Sequence, residues 1–233
     1  FHNTAANVTL TPSTVPVANV SLASYANKAS GNLSFSSGAR GVFFKPDGTK
    51  MYVMDRPNAQ LYYYNLSTAW DVSTKSPAGY YQFTVYIGTG SSVQPYGFWF
   101  NSDGTKLYVN NLSGVGEFSL STAWDASTIS YVTGSNIGTS SYDNTTRSSF
   151  FRADGLRMYI IGTQNKTVYQ YNFSSAFPNL STHSGTPSAS FSVSSQANSP
   201  RHVFFNSTGT TFYITNDDGI IYEYSLSTAW DVS

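Results

Sequence analysis

Three arginines and a tyrosine, Arg40, Tyr96, Arg147 and Arg201, each open a short apolar run in this 233-residue chain. A guanidinium is planar and permanently charged, and its five N–H donors match carboxylate or sulfate bidentately. If the four runs converge, the quartet rings one opening and can bind an acidic sugar or a partner's carboxylate. The competing assignment is local: each Arg pairs with a nearby Asp or caps carbonyls at the strand entry. Catalysis needs a convergent, non-repeating set of titratable groups. The turn residues Asp47, Asp103 and Asp154 accept their own backbone N–H groups, and Asp71, Asp125 and Asp231 follow a repeated aromatic. His2 and His183 lie in Ser/Thr-rich stretches, and only His202 begins an apolar run. No off-repeat acid cluster is visible. Asn216-Asp217-Asp218-Gly219 reads as a hairpin turn rather than a calcium loop. The expectation is no catalytic residue, no metal and no cofactor.

Composition narrows the partners. Charged residues are 10% against 16% aromatics, and the net charge is zero. That balance argues against nucleic acid and removes a repulsion that keeps copies of a chain apart. No apolar run approaches the roughly 20 residues of a membrane span. The chain has no cysteine, so it offers neither a disulfide framework nor a thiolate zinc site. Asn-x-Ser/Thr sequons occur at Asn7, Asn19, Asn32, Asn65, Asn111, Asn144, Asn165, Asn172, Asn179 and Asn206. They are glycosylation candidates, and the Ser/Thr/Asn/Tyr-rich surface suggests an extracellular, cell-surface or virion setting.

The elements that must position the quartet come from a repeat. Trp70, Trp124, Phe177 and Trp230 recur every 53 or 54 residues, the first, second and last within Leu-Ser-Thr-Ala-Trp-Asp. A period of that length means stacked supersecondary units. Each period reads as four strands. The first is apolar (Val42-Phe43-Phe44 and its copies) and ends in an Asp-Gly or Thr-Gly turn, a strong hairpin signal. The second is Met51-Tyr52-Val53 and its copies, the third is Tyr-rich, and the fourth alternates, as in Tyr81, Phe83, Val85 and Ile87. Strand-three tyrosines Tyr62, Tyr64, Tyr169, Tyr171, Tyr222 and Tyr224 read as exposed, and the repeated Trp as an anchor pinning the following loop. Four antiparallel sheets arranged radially make an all-β, four-bladed β-propeller, with repeats near 40–87, 96–133, 147–193 and 201–233. The last repeat lacks a fourth strand, and residues 32–37 resemble one, so the expectation is closure by that N-terminal strand, giving a propeller over 31–233. A segment of a longer propeller is the rival. Residues 1–30 form an extended arm whose Val8, Leu10, Val15, Val17, Val20 and Leu22 make one apolar face.

The hairpin Phe44-Lys45-Pro46-Asp47-Gly48-Thr49-Lys50-Met51-Tyr52-Val53 and its copy at 100–109 resemble YVTN-type and lactonase-like bacterial β-propeller repeats. The Leu-Ser-Thr-Ala-Trp-Asp run resembles repeats of bacterial surface proteins and phage virion proteins. The resemblance covers residues 32–233 and implies the fold. It implies little about function, because propellers serve as enzymes, adhesins and scaffolds. Lactonase-like relatives hold carboxylates and His over the central channel, and no matching acid cluster is visible.

Together these readings favour a non-enzymatic structural subunit, self-assembling head to tail into a filament, sheath or virion fibre, its arm docked on the next copy. The alternative is an adhesin or receptor-binding module that holds surface glycans through the propeller face. A lactonase-like enzyme is the third reading.

Overall fold

A computed structural model describes residues 38–84, 87 and 94–233. The chain forms four blades of antiparallel strands. Blade 1 is β1 (Ala39–Phe44), β2 (Lys50–Asp55), β3 (Gln60–Leu66) and β4 (Lys75–Gln82). Blade 2 is β5 (Gly97–Phe100), β6 (Lys106–Asn111), β7 (Gly114–Leu120) and β8 (Ile129–Gly138). Blade 3 is β9 (Thr146–Phe151), β10 (Arg157–Gly162), β11 (Thr167–Asn172) and β12 (Ala189–Ser192), and blade 4 is β13 (Pro200–Phe205), β14 (Thr211–Asn216) and β15 (Ile221–Ser225). Each sheet runs in chain order. Among the described residues β15 has no outer neighbour; Asn32–Ser37, assigned to that edge by sequence, lies outside them, as do the arm and Asn7, Asn19 and Asn32.

The core is distributed between blades. Blades 1 and 2 share Tyr52, Met54, Leu61, Phe100, Leu107 and Phe118. Blades 2 and 3 share Tyr108, Val115, Phe151 and Met158, and blades 3 and 4 share Tyr159, Ile161, Val203, Phe205 and Phe212. One residue of the repeat stitches three of the junctions among the described residues. Tyr52 and Tyr159 donate through their hydroxyls to the carbonyls of Trp124 and Trp230 in the next blade, each at 2.6 Å, and Tyr108 donates to that of Pro178 at 3.2 Å. Burying a phenol costs free energy unless its hydroxyl is paired, so these bonds explain why strand two carries Tyr rather than Phe at this position.

The repeated aromatic closes a local lock. Gly48, Gly104, Gly155 and Gly209 adopt positive φ at the tip of the first hairpin, and their carbonyls accept from the backbone N–H of Trp70, Trp124, Phe177 and Trp230. Those aromatics are themselves left-handed, at φ 66°, 63°, 44° and 66°. Such a conformation costs a non-glycine residue about 1–2 kcal/mol, offset here by laying the ring flat on the glycine and against the strand-one Phe (Phe100 for Trp124, Phe205 for Trp230). Gly104→Ala is therefore expected to lower stability by about 2–4 kcal/mol, combining left-handed strain with overpacking, because its Cβ would meet the Trp124 ring at 2.3 Å. Gly134 has the same φ sign and nothing within 4 Å, so Gly134→Ala should cost about 1 kcal/mol. Urea unfolding of the two variants checks the difference; equal losses would show that the indole lid contributes nothing.

Three readings need correction. The fourth strand of blade 1 is Lys75–Gln82, not the alternating run at 81–87. It contains Pro77, which an edge strand tolerates, and the register shifts opposite it at Tyr63/Tyr64. Tyr64, Tyr169 and Tyr171 are buried rather than exposed, because they turn into the blade faces. Asn111 cannot carry a glycan in the folded chain: it is 1% exposed, its amide donates to the Ile87 carbonyl at 3.1 Å, and its Oδ1 accepts from Ser113 N. Asn65, Asn144, Asn165, Asn172 and Asn179 are exposed and Asn206 is half-buried. Their glycosylation rests on the sequons alone.

Candidate functional site

A cavity of about 380 Å³ opens where the first strands of the blades begin. Arg40, Tyr96, Arg147 and Arg201 all line it, together with Arg56, His202 and Asp217. The convergence has a backbone cause. In blade 1, Ala39 faces Asp55 and Gly41 faces Met54, so Arg40 is an extra residue left out of the ladder. Arg147 is skipped between Thr146 and Ser148 in blade 3, and Arg201 between Pro200 and His202 in blade 4. In blade 2 the N–H of Tyr96 donates to the Asn110 carbonyl, and Gly97 faces the same Asn110. A β-bulge bends the strand and re-aims the extra side chain. Three bulges at one offset, with the Tyr96 contact on Asn110 at the matching place in blade 2, therefore turn four side chains into one mouth.

Four guanidiniums face one carboxylate across this space. Arg56 and Arg147 stack over the Tyr96 ring, their guanidinium carbons 4.3 and 4.7 Å from its centroid. The ring quadrupole holds both cations at modest desolvation cost. The Nε atoms of Arg56 and Arg147 are buried and have no hydrogen-bond partner among the described residues. Arg201 is the local case: it forks onto Asp217, whose carboxylate also accepts from Ser199 Oγ at 2.9 Å. That pairing raises the Arg201 pKa and holds the Asp217 carboxyl below its ordinary range. With Arg201 neutralised, Arg40, Arg56 and Arg147 supply the uncompensated positive charge.

His202 stands one residue past the bulge, where the other blades carry Gly41, Gly97 and Ser148. Its side chain is exposed and lines the cavity, and desolvation by the protein atoms crowded around it pushes its pKa below 6.5, partly opposed by a backbone hydrogen bond at Val203. It is therefore neutral near pH 7, with a lone pair free to accept a proton. His183, in contrast, packs against Tyr171 and Phe173 and accepts from Gly185 N, so it is a structural residue. Asp47, Asp103, Asp125 and Asp154 accept backbone N–H groups two residues on, as turn residues do. Asp217 lies in the Asn216–Gly219 turn, where Gly219 N donates to the Asn216 carbonyl. Among the described residues no group of three or more His, Cys, Asp or Glu could hold a metal ion.

Sequence reasoning named four of the seven lining residues as a site and missed Arg56, His202 and Asp217. The signal was departure from the repeat. The residue after the second strand is Arg56, Leu112, Thr163 or Asp217, and only two of the four are charged. A single His among small residues one step past the bulge is the same kind of signal.

No protein-family model matches the chain, and no curated protein matches it. Solved structures do. A functionally unknown protein from Desulfotomaculum acetoxidans aligns with a TM-score of 0.56 at 19% identity, over 83% of this chain and 56% of that one. Proteins provisionally named 6-phosphogluconolactonases, from Bacteroides uniformis and Bacteroides fragilis, align with TM-scores of 0.53 and 0.54 at 13% and 16% identity, over 78% and 79% of this chain. The chain spans about half the length of these structures, 51–56%. Names of enzymes on two such neighbours overturn the expectation of a non-enzymatic protein, and no observation supports the filament subunit built on that expectation. The cavity does gather three residues that depart from the repeat, Arg56, His202 and Asp217, of which Asp217 is the one acid. At these identities the likeness establishes the fold: this chain is similar to lactonase-like β-propellers in architecture.

Proposed function

We propose that the chain is a lactonase-like hydrolase that takes a small anionic lactone into the arginine mouth. The observation carrying this reading is the meeting of three uncompensated guanidiniums with a neutral imidazole in one cavity. The YVTN-type resemblance of the Phe44–Val53 hairpin belongs to the same reading. An anionic substituent binds Arg56 and Arg147, already oriented by Tyr96. Water attacks the lactone carbonyl carbon while His202 accepts its proton. Negative charge gathers on the carbonyl oxygen, where a nearby guanidinium such as Arg40 stabilises it. The ring C–O bond then breaks, and the departing oxygen takes the proton from the imidazolium. The product is a hydroxy acid, which ionises and releases one proton at neutral pH.

That proton gives the assay. With 6-phosphogluconolactone as probe, base uptake in a pH-stat at pH 7 should exceed spontaneous hydrolysis in proportion to protein concentration. A rate equal to the spontaneous one, with phosphate still bound, would sink the hydrolase and leave a module that binds acidic sugars.

A further inference from the structure

The mouth has a floor, and its chemistry changes with depth. A second cavity of about 180 Å³ shares Arg40, Tyr96, Arg147 and His202 with the mouth, so the two are continuous. Below those shared residues the wall is Val42, Phe43, Phe98 and Trp99. Val42 is 59% exposed although aliphatic. Space for this chamber comes from the small residues one step past the bulges: Gly41, Gly97 and Ser148 all line it. The chamber also carries Ser148 and Ser149, the Ser148 hydroxyl buried and without a hydrogen-bond partner among the described residues, and a flat ring can lie against Phe98 and Trp99 in offset or edge-on geometry.

A cationic mouth over an aromatic chamber is complementary to an amphipathic anion. We infer that the site binds a single aromatic ring carrying an anionic group, the anion held at the mouth by Arg147 with Arg56 beside it and the ring seated among Val42, Phe98 and Trp99. Size agrees: an engineered apolar cavity of about 150 Å³ accepts benzene, and this chamber is slightly larger. The inference extends the proposed substrate class to anionic lactones bearing an aromatic ring. It rests on the hydrolase reading only for the word lactone, since binding requires no turnover.

Isothermal titration of the full chain with phenyl phosphate, inorganic phosphate and benzyl alcohol separates the two compartments. Phenyl phosphate should bind roughly tenfold or more tightly than phosphate, because ring burial adds to the ionic contact. Benzyl alcohol, lacking the anion, should bind weakest of the three. Gly41→Leu should erase the preference while keeping phosphate affinity, since a side chain there grows from a Cβ 3.3 Å from the Phe98 ring into the chamber. Phe98→Ala should reduce the preference independently, which guards against a folding defect in the first variant. Equal affinities for phenyl phosphate and phosphate, or a preference untouched by both variants, would overturn the inference. Acid release from 6-phosphogluconolactone would be unaffected by that result, so the two failures can be told apart.

Discussion

Replacing His202 with glutamine is expected to slow lactone hydrolysis by about 100- to 1,000-fold, the usual contribution of a positioned general base. Glutamine keeps much of the size and polarity but cannot accept and return a proton, so phosphate binding and unfolding behaviour should be retained. The pH dependence adds a second readout. Desolvation lowers the His202 pKa below 6.5, so the neutral, working form prevails at neutral pH and is lost only as pH falls through the lowered value. The wild-type rate should therefore decline on the acid side, and the variant should lose that limb. Stability moves in the same direction. The unfolded chain binds the proton more readily, so the contribution of a neutral His202 is present above pH 6.5 and is lost as pH drops towards the folded value. A variant with the parental rate and pH profile would place the base elsewhere.

The largest expected loss of stability lies at the junction of blades 2 and 3. Glu117 is buried, at 3% side-chain exposure, and makes an ion pair with Lys106 at 2.9 Å. Its second oxygen accepts from Ser135 Oγ and, at 3.1 Å, from the backbone N–H of Leu180 in the next blade. Lys106 Nζ also reaches the Phe177 carbonyl of that blade at 2.8 Å. One carboxylate thus ties two strands of its own blade to the loop of its neighbour. Glu117→Ala leaves an ammonium, a hydroxyl and an amide without this acceptor, and breaking a buried pair on one side costs about 3–5 kcal/mol. Lys106→Met combined with Glu117→Leu removes both charges and should recover part of the loss. Urea denaturation of the three proteins decides the matter. If Glu117→Ala costs less than about 1 kcal/mol, on the scale of an exposed pair, the network does not hold the junction.

The architecture was legible because the repeat is written in residues with strong local demands. Gly48, Gly104, Gly155 and Gly209 must be left-handed, and Trp70, Trp124, Phe177 and Trp230 answer them at a fixed offset, so the blade count followed. The mouth was half legible for the same reason: Arg40, Tyr96, Arg147 and Arg201 keep the repeat's phase. Arg56 and Asp217 were hidden because they sit in turns whose composition varies from blade to blade, and only the fold brings those turns to one rim. The pairing of Arg201 with Asp217, sixteen residues apart, depends on the β13–β14 register. Asn111 shows the opposite failure. A sequon is read from three residues, but burial is set by the strand, and this Asn caps a turn inside the protein.

The skipped residues at the heads of the blades have a consequence for how this protein can vary. Arg40 and Arg147 lie opposite no residue of the neighbouring strand, so their identity is not constrained by a cross-strand partner, whereas Arg201 is tied to Asp217. Inheritance of the scaffold and choice of ligand are thereby uncoupled. The four repeats can differ at this one position, as Tyr96 does beside the three arginines, without disturbing the packing that makes them blades. A library randomised at 40, 96, 147 and 201 should accordingly yield mostly folded proteins, each offering a different rim to the solution.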